Sequence, residues 1–323
     1  MKKLASISLD LDNQWSYMKT NGDAGWEDLP SYLDLAVPRI LSFLKERDLR
    51  ITFFVIGQDA ALEKNRDAIA SIAEAGHEIA NHSFNHEPWL HLYSKADLVS
   101  EFERTENALE AITGKRPVGF RGPGYSLSPT VLETLGERGY EYDCSLLPTY
   151  IAPLARAFFF LNSSKMSDEE KAKRKKLFGK FSDGFQSLKP HFIEAAGKQM
   201  VEIPVTTFPL VKTPIHASYL LYLSTFSAAA AKAYWRSAVA ACSMTGVEPS
   251  FLLHPLDFLG GEDVPSMKFF PGMANTSQRK IDFLGETIAA LTNKFDVVSM
   301  REHADHFRQQ SSVGSVSTAA TLT

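Results

Sequence analysis

Ala5-Ser6-Ile7-Ser8-Leu9-Asp10-Leu11-Asp12 sets apolar Ile7, Leu9 and Leu11 against polar Ser8, Asp10 and Asp12. A period of two is the mark of a β-strand, and it places Asp10 and Asp12 on one face. A helix pattern follows, with Leu33, Val37, Ile40, Leu41 and Leu44 at helical spacing. Ile51–Ile56 then reads as a buried strand ended by Gly57, and roughly Ala60–Ala75 as a helix ended by Gly76. Glu78-Ile79-Ala80 is a short strand leading into Asn81-His82. Further out, Lys95–Thr113 and Pro129–Arg138 read as helices, and Val118–Arg121 and Tyr140–Asp143 as strands. After an interruption, strands are predicted at Met200–Val205 and Ser250–His254, and helices near Ser227–Cys242 and Ser277–Asn293. Asp296-Val297-Val298 closes the pattern. Strand followed by helix, repeated at least six times, predicts a parallel α/β fold, barrel or open sheet.

Of the 323 residues 44% are hydrophobic and 22% charged, enough apolar material for a large core. A formal charge of -4 argues against a general nucleic-acid binder. Two cysteines, Cys144 and Cys242, cannot make a disulfide framework or a cysteine-rich zinc site, and they fit a reducing compartment. Met1-Lys2-Lys3 could open a secretory leader, but Asp10 and Asp12 arrive before an apolar stretch forms. No segment has the uncharged apolar length of a membrane span. The expectation is a cytoplasmic protein, free or bound at the inner membrane face, with 1–308 as one domain. The last residues, 309–323, carry no charge and are rich in Ser, Thr, Ala and Val, and are expected to be disordered.

The interruption spans about 149–191. Tyr150–Leu154 and Phe158–Leu161 are apolar, and Lys171, Lys173, Arg174, Lys175, Lys176 and Lys180 follow. Leu177, Phe181, Phe185 and Leu188 recur every three or four residues and would line one helix face. A basic, phenylalanine-bearing amphipathic segment suits the headgroup region of an anionic membrane, whereas Gly179 and Gly184 weaken the helix. A charged lid or dimer arm fits the same residues equally well.

Three features carry chemistry. Asp10 and Asp12 close the first strand, at the end where active sites of α/β folds lie. His82 and His86, four apart, can offer two imidazoles to one cation if the segment takes a helical turn. His254 ends an apolar strand and is fixed by Pro255, a placement suited to an acid or base. A solvated strand end, a surface pair and a core histidine are the bland readings of the three, taken singly.

Jointly the three features resemble the polysaccharide deacetylase family with its NodB homology domain, over roughly residues 5–300. Ser8-Leu9-Asp10-Leu11-Asp12-Asn13 is a spaced variant of the family's opening motif, similar to that of its cytoplasmic branches. His82-Ser83-Phe84-Asn85-His86 meets the His-Ser/Thr-x-x-His motif, Arg121-Gly122-Pro123 the Arg-x-Pro motif, and Leu252-Leu253-His254 the Leu-x-His motif. The resemblance implies a distorted (β/α) barrel and a divalent metal, zinc by first choice, held by Asp12, His82 and His86. It implies Asp10 as general base, Arg121 as the group that keeps Asp10 ionised, and His254 as general acid. Asp143 and Asp257 are candidates for tuning His254. The substrate would be an N-acetylated amino sugar, and Trp15, Tyr17 and Tyr125, with Pro123 beside them, are candidates to contact it. If the insertion touches membrane, the chain resembles deacetylases and deformylases of polyprenyl-phosphate sugars, with His216, near Lys212, placed to meet the phosphate. An allantoinase-like small-amide hydrolase of the same fold and a non-catalytic carbohydrate-binding module are the alternatives.

Overall fold

β1 (Lys3–Asp10) is the strand on which the sheet is built. In this computed structural model, which describes residues 2–151 and 181–319, Ala5–Asp10 are buried on both faces. Ile7 and Leu9 join Val37, Ile40 and Leu44 of helix α2 (Leu33–Lys45) in the main core. Burial of each such side chain contributes about 1.5–3 kcal/mol. The opposite face carries Ser6, Ser8 and Asp10, and the Arg121 guanidinium donates to Ser8 Oγ at 2.8 Å. Alternation in this strand therefore separates an apolar core from a buried polar interior.

The other strands are β2 (Thr52–Val55), β3 (Glu78–Asn81), β4 (Gly119–Phe120), β5 (Tyr142–Asp143), β6 (His191–Ala195), β7 (Lys198–Glu202), β8 (Ser250–Leu253) and β9 (Phe295–Val298). Their order is β6-β7-β5-β4-β3-β2-β1-β8, with β9 paired to the first half of β1. Every pair is parallel except the hairpin β6–β7, so the central sheet is mixed. Of the expected barrel, the wound α/β sheet is present, while the strand ladder ends at β8. Between the chain beyond β7 and β8, Thr206 N–H donates to Ser250 O at 3.1 Å and Ser250 N–H to Thr206 Oγ1 at 2.8 Å.

The register positions the site. Leu9 lies opposite Leu253, Asp10 opposite Phe54, Val55 opposite Asn81, and Asn81 opposite Phe120. Residues just past these pairs, Asp12, His82, Arg121 and His254, therefore all emerge at the carboxyl end of the parallel strands. Helices α1 (Gln14–Asn21), α3 (Gly57–Ala60), α4 (Arg66–Glu74), α5 (Lys95–Thr113) and α6 (Pro129–Glu137) occupy the first half of the chain. In the second half lie α7 (Ala217–Phe226), α8 (Ala228–Thr245), α9 (Ser277–Thr292) and α10 (Met300–Ala319).

Several elements differ from expectation. The helix predicted over 60–75 is divided into α3, a tight turn at Glu63–Asn65, and α4. β6 was not anticipated; Ala196 (φ 53°) and Gly197 (φ 72°) close its two-residue hairpin. α7 is apolar nearly all round, so no helical stripe marks it in the sequence. α10 continues into the stretch expected to be disordered, because Glu302 and Ser299 cap its start and Met300, Ala304 and Phe307 pack on the sheet. The basic run Lys171–Lys180 and the apolar Phe158–Leu161 lie outside the described residues. At the insertion's borders, Thr149 Oγ1 donates to Lys212 O at 2.8 Å and Tyr150 meets Phe185 edge-on.

Candidate metal centre

Asp12, His82 and His86 each turn one ligand atom toward a common point, all within 4.8 Å of one another. Asp12 Oδ1 lies 3.0 Å from His86 Nε2 and 3.4 Å from His82 Nε2, yet it has no hydrogen-bond partner. His82 Nδ1 donates to the Arg121 carbonyl at 2.6 Å, so in the neutral ring Nε2 is a bare lone pair. Lone pairs facing a buried carboxylate oxygen repel unless a cation sits among them. The donor set therefore fits a divalent ion with coordination positions to spare. Burial alone would raise the Asp12 pKa, but His86 and His82 hold it well below the usual carboxylate range.

The two imidazoles do not meet through a helical turn. Ser83 (φ 60°) and His86 (φ 52°) are left-handed, and the loop bends so that the rings stand 5.0 Å apart. Buried Glu101 of α5 shapes this loop, accepting from the Phe84 and Asn85 backbone N–H groups at 2.8 and 2.9 Å and from the Asn85 side chain. Asn81 Oδ1 accepts from Ser83 N–H at 2.7 Å. Sequence reasoning missed Glu101; the signal was a carboxylate between Leu98 and Phe102 on the apolar face of α5.

Asp10 stands beside the triad, its Oδ2 3.9 Å from His82 Nε2. Its Oδ1 takes a 2.6 Å bond from Arg121 Nη1, and Arg121 is fully buried with its guanidinium over the Phe54 ring. Oδ2 is thus the oxygen left free to accept a proton. Gly122 is required in the loop that follows, since a Cβ there would run into the Ser126 carbonyl. Pro123 is buried at the start of the next turn, and Tyr125 follows with φ 62°. Burial and the nearby Asp10 push the Tyr125 phenol up, so it stays protonated.

His254 lies across β1 from the loop after β2. Its Nδ1 is 3.0 Å from Ser218 Oγ, which donates to Asp257 Oδ1 at 2.7 Å. Asp257 Oδ2 accepts the His254 backbone N–H at 2.8 Å and lies 4.0 Å from Nδ1. The carboxylate therefore reaches the ring through a serine, at the N-terminus of α7, that the sequence did not reveal. Asp143 is not in this group: it is bonded to Ser145, whose Oγ also accepts Gly122 N–H, and burial raises both it and neighbouring Glu202. Asp143 thus supports the Arg121 loop. The His216 ring stands 6.5 Å from His254, and burial followed by His254 lowers its pKa to about 3, so it is neutral. Lys212 is bonded to the Gln186 carbonyl.

Trp15 must be corrected. It is 1% exposed, and its indole N–H donates to Asp59 at 2.9 Å, so it cannot stack on a sugar. The same Asp59 oxygen accepts from Asn13 and Asn65, and these bonds anchor the loop that carries Asp12.

Residues 23–142 match the family model described as polysaccharide deacetylase. That segment contains His82, His86 and Arg121, whereas Asp10, Asp12 and His254 lie outside it and join it only in space. Over that part of its length the chain is thus similar to the polysaccharide deacetylase family. A peptidoglycan deacetylase of Helicobacter pylori is 27% identical over 157 residues, 46% of this chain and 52% of its own. A chitin deacetylase of Colletotrichum lindemuthianum is 36% identical over 106 residues, 32% of this chain and 42% of its own. The chain thus spans about half the length of these curated relatives or less. A Mycobacterium smegmatis crystal structure of the polysaccharide deacetylase kind has 24% identity and TM-score 0.64, covering 96% of this chain and 92% of its own. That likeness speaks for a shared fold.

Proposed function

We propose that this centre is a divalent-metal-dependent N-deacetylase acting on an acetylated amino sugar. The observation that carries the reading is the convergence of Asp12, His82 and His86 beside an Asp10 whose one oxygen is tied to Arg121. Asp12, His82 and His86 would hold the ion, zinc by first choice. When bound, such an ion polarises a carbonyl and acidifies water. Asp10 Oδ2 takes a proton from the attacking water, and Arg121 keeps Asp10 in the form that can do so. His254, oriented through Ser218 and Asp257, delivers a proton to the departing nitrogen.

For the finer substrate class we propose a sugar bearing an apolar chain. An apolar cavity of about 360 Å³ lies between α7 and α8, lined by Tyr219, Leu223, Phe226 and Tyr234 among others. Tyr219 is one ring away from His216, which neighbours His254. Exposed Leu210, Val211 and Phe226 extend the apolar surface. Among the described residues no helix is long and apolar enough to cross a membrane. A cytoplasmic site at the inner membrane face fits this substrate. Mass spectrometry of lipid-linked and free N-acetyl sugars after incubation with zinc-loaded protein tests both levels. Acetyl loss from either supports the deacetylase; loss only from the free sugar removes the lipid; loss from neither, with turnover of allantoin, replaces the reading.

A further inference from the structure

α1 begins at Gln14, directly after its cap Asn13, whose side chain is held by Asp59, and it carries a tyrosine the mechanism above leaves unused. Tyr17 N–H bonds back to the Asn13 carbonyl, so the residue is fixed one helical turn from ligand Asp12. Its ring packs edge-on to Phe270, centroids 5.1 Å apart, in the loop between β8 and α9. Tyr17 therefore ties the segment that follows Asp12 to the loop after β8. Its hydroxyl oxygen is buried and has no hydrogen-bond partner. A buried hydroxyl left unbonded is unfavourable, and a ligand acceptor would relieve it. Burial first, then Asp12, Tyr32, Asp257 and Asp10, push the phenol far above its ordinary range. It is therefore a proton-bearing donor, and it lies within electrostatic reach of both the ligand aspartate and the carboxylate behind His254.

We infer that Tyr17 is a substrate-positioning residue whose hydroxyl donates to an oxygen of the sugar next to the scissile amide, on the flank where His254 meets the leaving nitrogen. This rests on the deacetylase reading and adds to it a hydroxyl-specific contact. The contact is made to the bound sugar and not to the reacting carbonyl, so its loss should weaken binding more than turnover.

The test compares wild type with Tyr17→Phe, a change that keeps the ring against Phe270. The N-acetylglucosamine tetramer serves as probe, read by acetate release and by calorimetric binding, with metal content and Tm measured alongside. The expected result is a KM and a dissociation constant raised about tenfold, the loss of one hydrogen bond, with kcat within threefold and metal content unchanged. Equal KM and affinity in the two proteins overturns the assignment. So does a fall in metal content or in kcat alone, which would make Tyr17 a support for Asp12. Wild type that neither binds nor deacetylates the tetramer overturns the Tyr17 assignment; acetyl loss from the lipid-linked sugar in the same protein then keeps the functional reading, and no loss there either overturns that reading as well.

Discussion

His82 and His254 occupy matching places, each directly after a parallel strand and each feeding the same end of the sheet. What separates them is the partner of Nδ1. For His82 it is a main-chain carbonyl, which can only accept, so the ring is locked with its Nε2 toward Asp12 and is 2% exposed. For His254 it is a serine hydroxyl backed by a carboxylate, and the side chain is 16% exposed. One partner can only accept and fixes its ring in a single orientation; the other can both donate and accept. The role of a strand-end histidine is thus decided by a neighbour distant in sequence.

The sharpest way to break this contrast is His82→Ala, which should lose both bound metal and turnover, the latter by a thousandfold or more, on the order of the loss when a whole catalytic unit is removed. Elemental analysis beside an acetate assay reads it; retained metal would make the ring a structural one. Asp10→Asn comes next, expected to keep the metal while lowering kcat by roughly a hundred- to ten-thousandfold as a lost general base does. The opposite pattern would exchange the roles of Asp10 and Asp12. Ser218→Ala should be milder, about a tenfold fall in kcat from one oriented hydrogen bond, with metal content unchanged. A drop in metal there would dissolve the distinction between the two histidines.

The smallest effect is on stability. Burial raises Asp59 to about 7, against the pull of its Asn13 and Trp15 hydrogen bonds. A carboxyl whose folded pKa exceeds its unfolded value binds more protons when folded, so its contribution is fully present below about pH 4 and is lost as pH rises through about 7. Wild type should therefore lose Tm between pH 5 and 8 relative to Asp59→Asn, by a few degrees in calorimetry. Parallel curves would show that Asp59 stays ionised throughout.

The alternation of Ala5–Asp12 and the successive strand–helix units were legible because each is a local periodic pattern. Asp10, Asp12, His82, His86, Arg121 and His254 were legible as candidates because each stands at the end of such a strand. Their convergence was implied only by the family resemblance and not by any local pattern, since it depends on register, as in Leu9 opposite Leu253. The geometry of His82–His86 was misjudged: spacing of four suggests a helix, but Glu101 and Asn81 bend the chain through left-handed residues instead. Trp15 was misjudged because adjacency to a motif says nothing of direction, and its indole turns to Asp59. Ser218 sits in a segment apolar on every side, where one hydroxyl leaves no pattern.

Arg121 serves two strands with two different parts of itself: its side chain reaches Asp10, while its main-chain oxygen receives the His82 proton. Substitution can remove only the first. Arg121→Met should leave ion affinity nearly intact and silence the chemistry, so a single position offers a switch between a protein that reacts and one that merely binds, useful for trapping an uncleaved ligand in place.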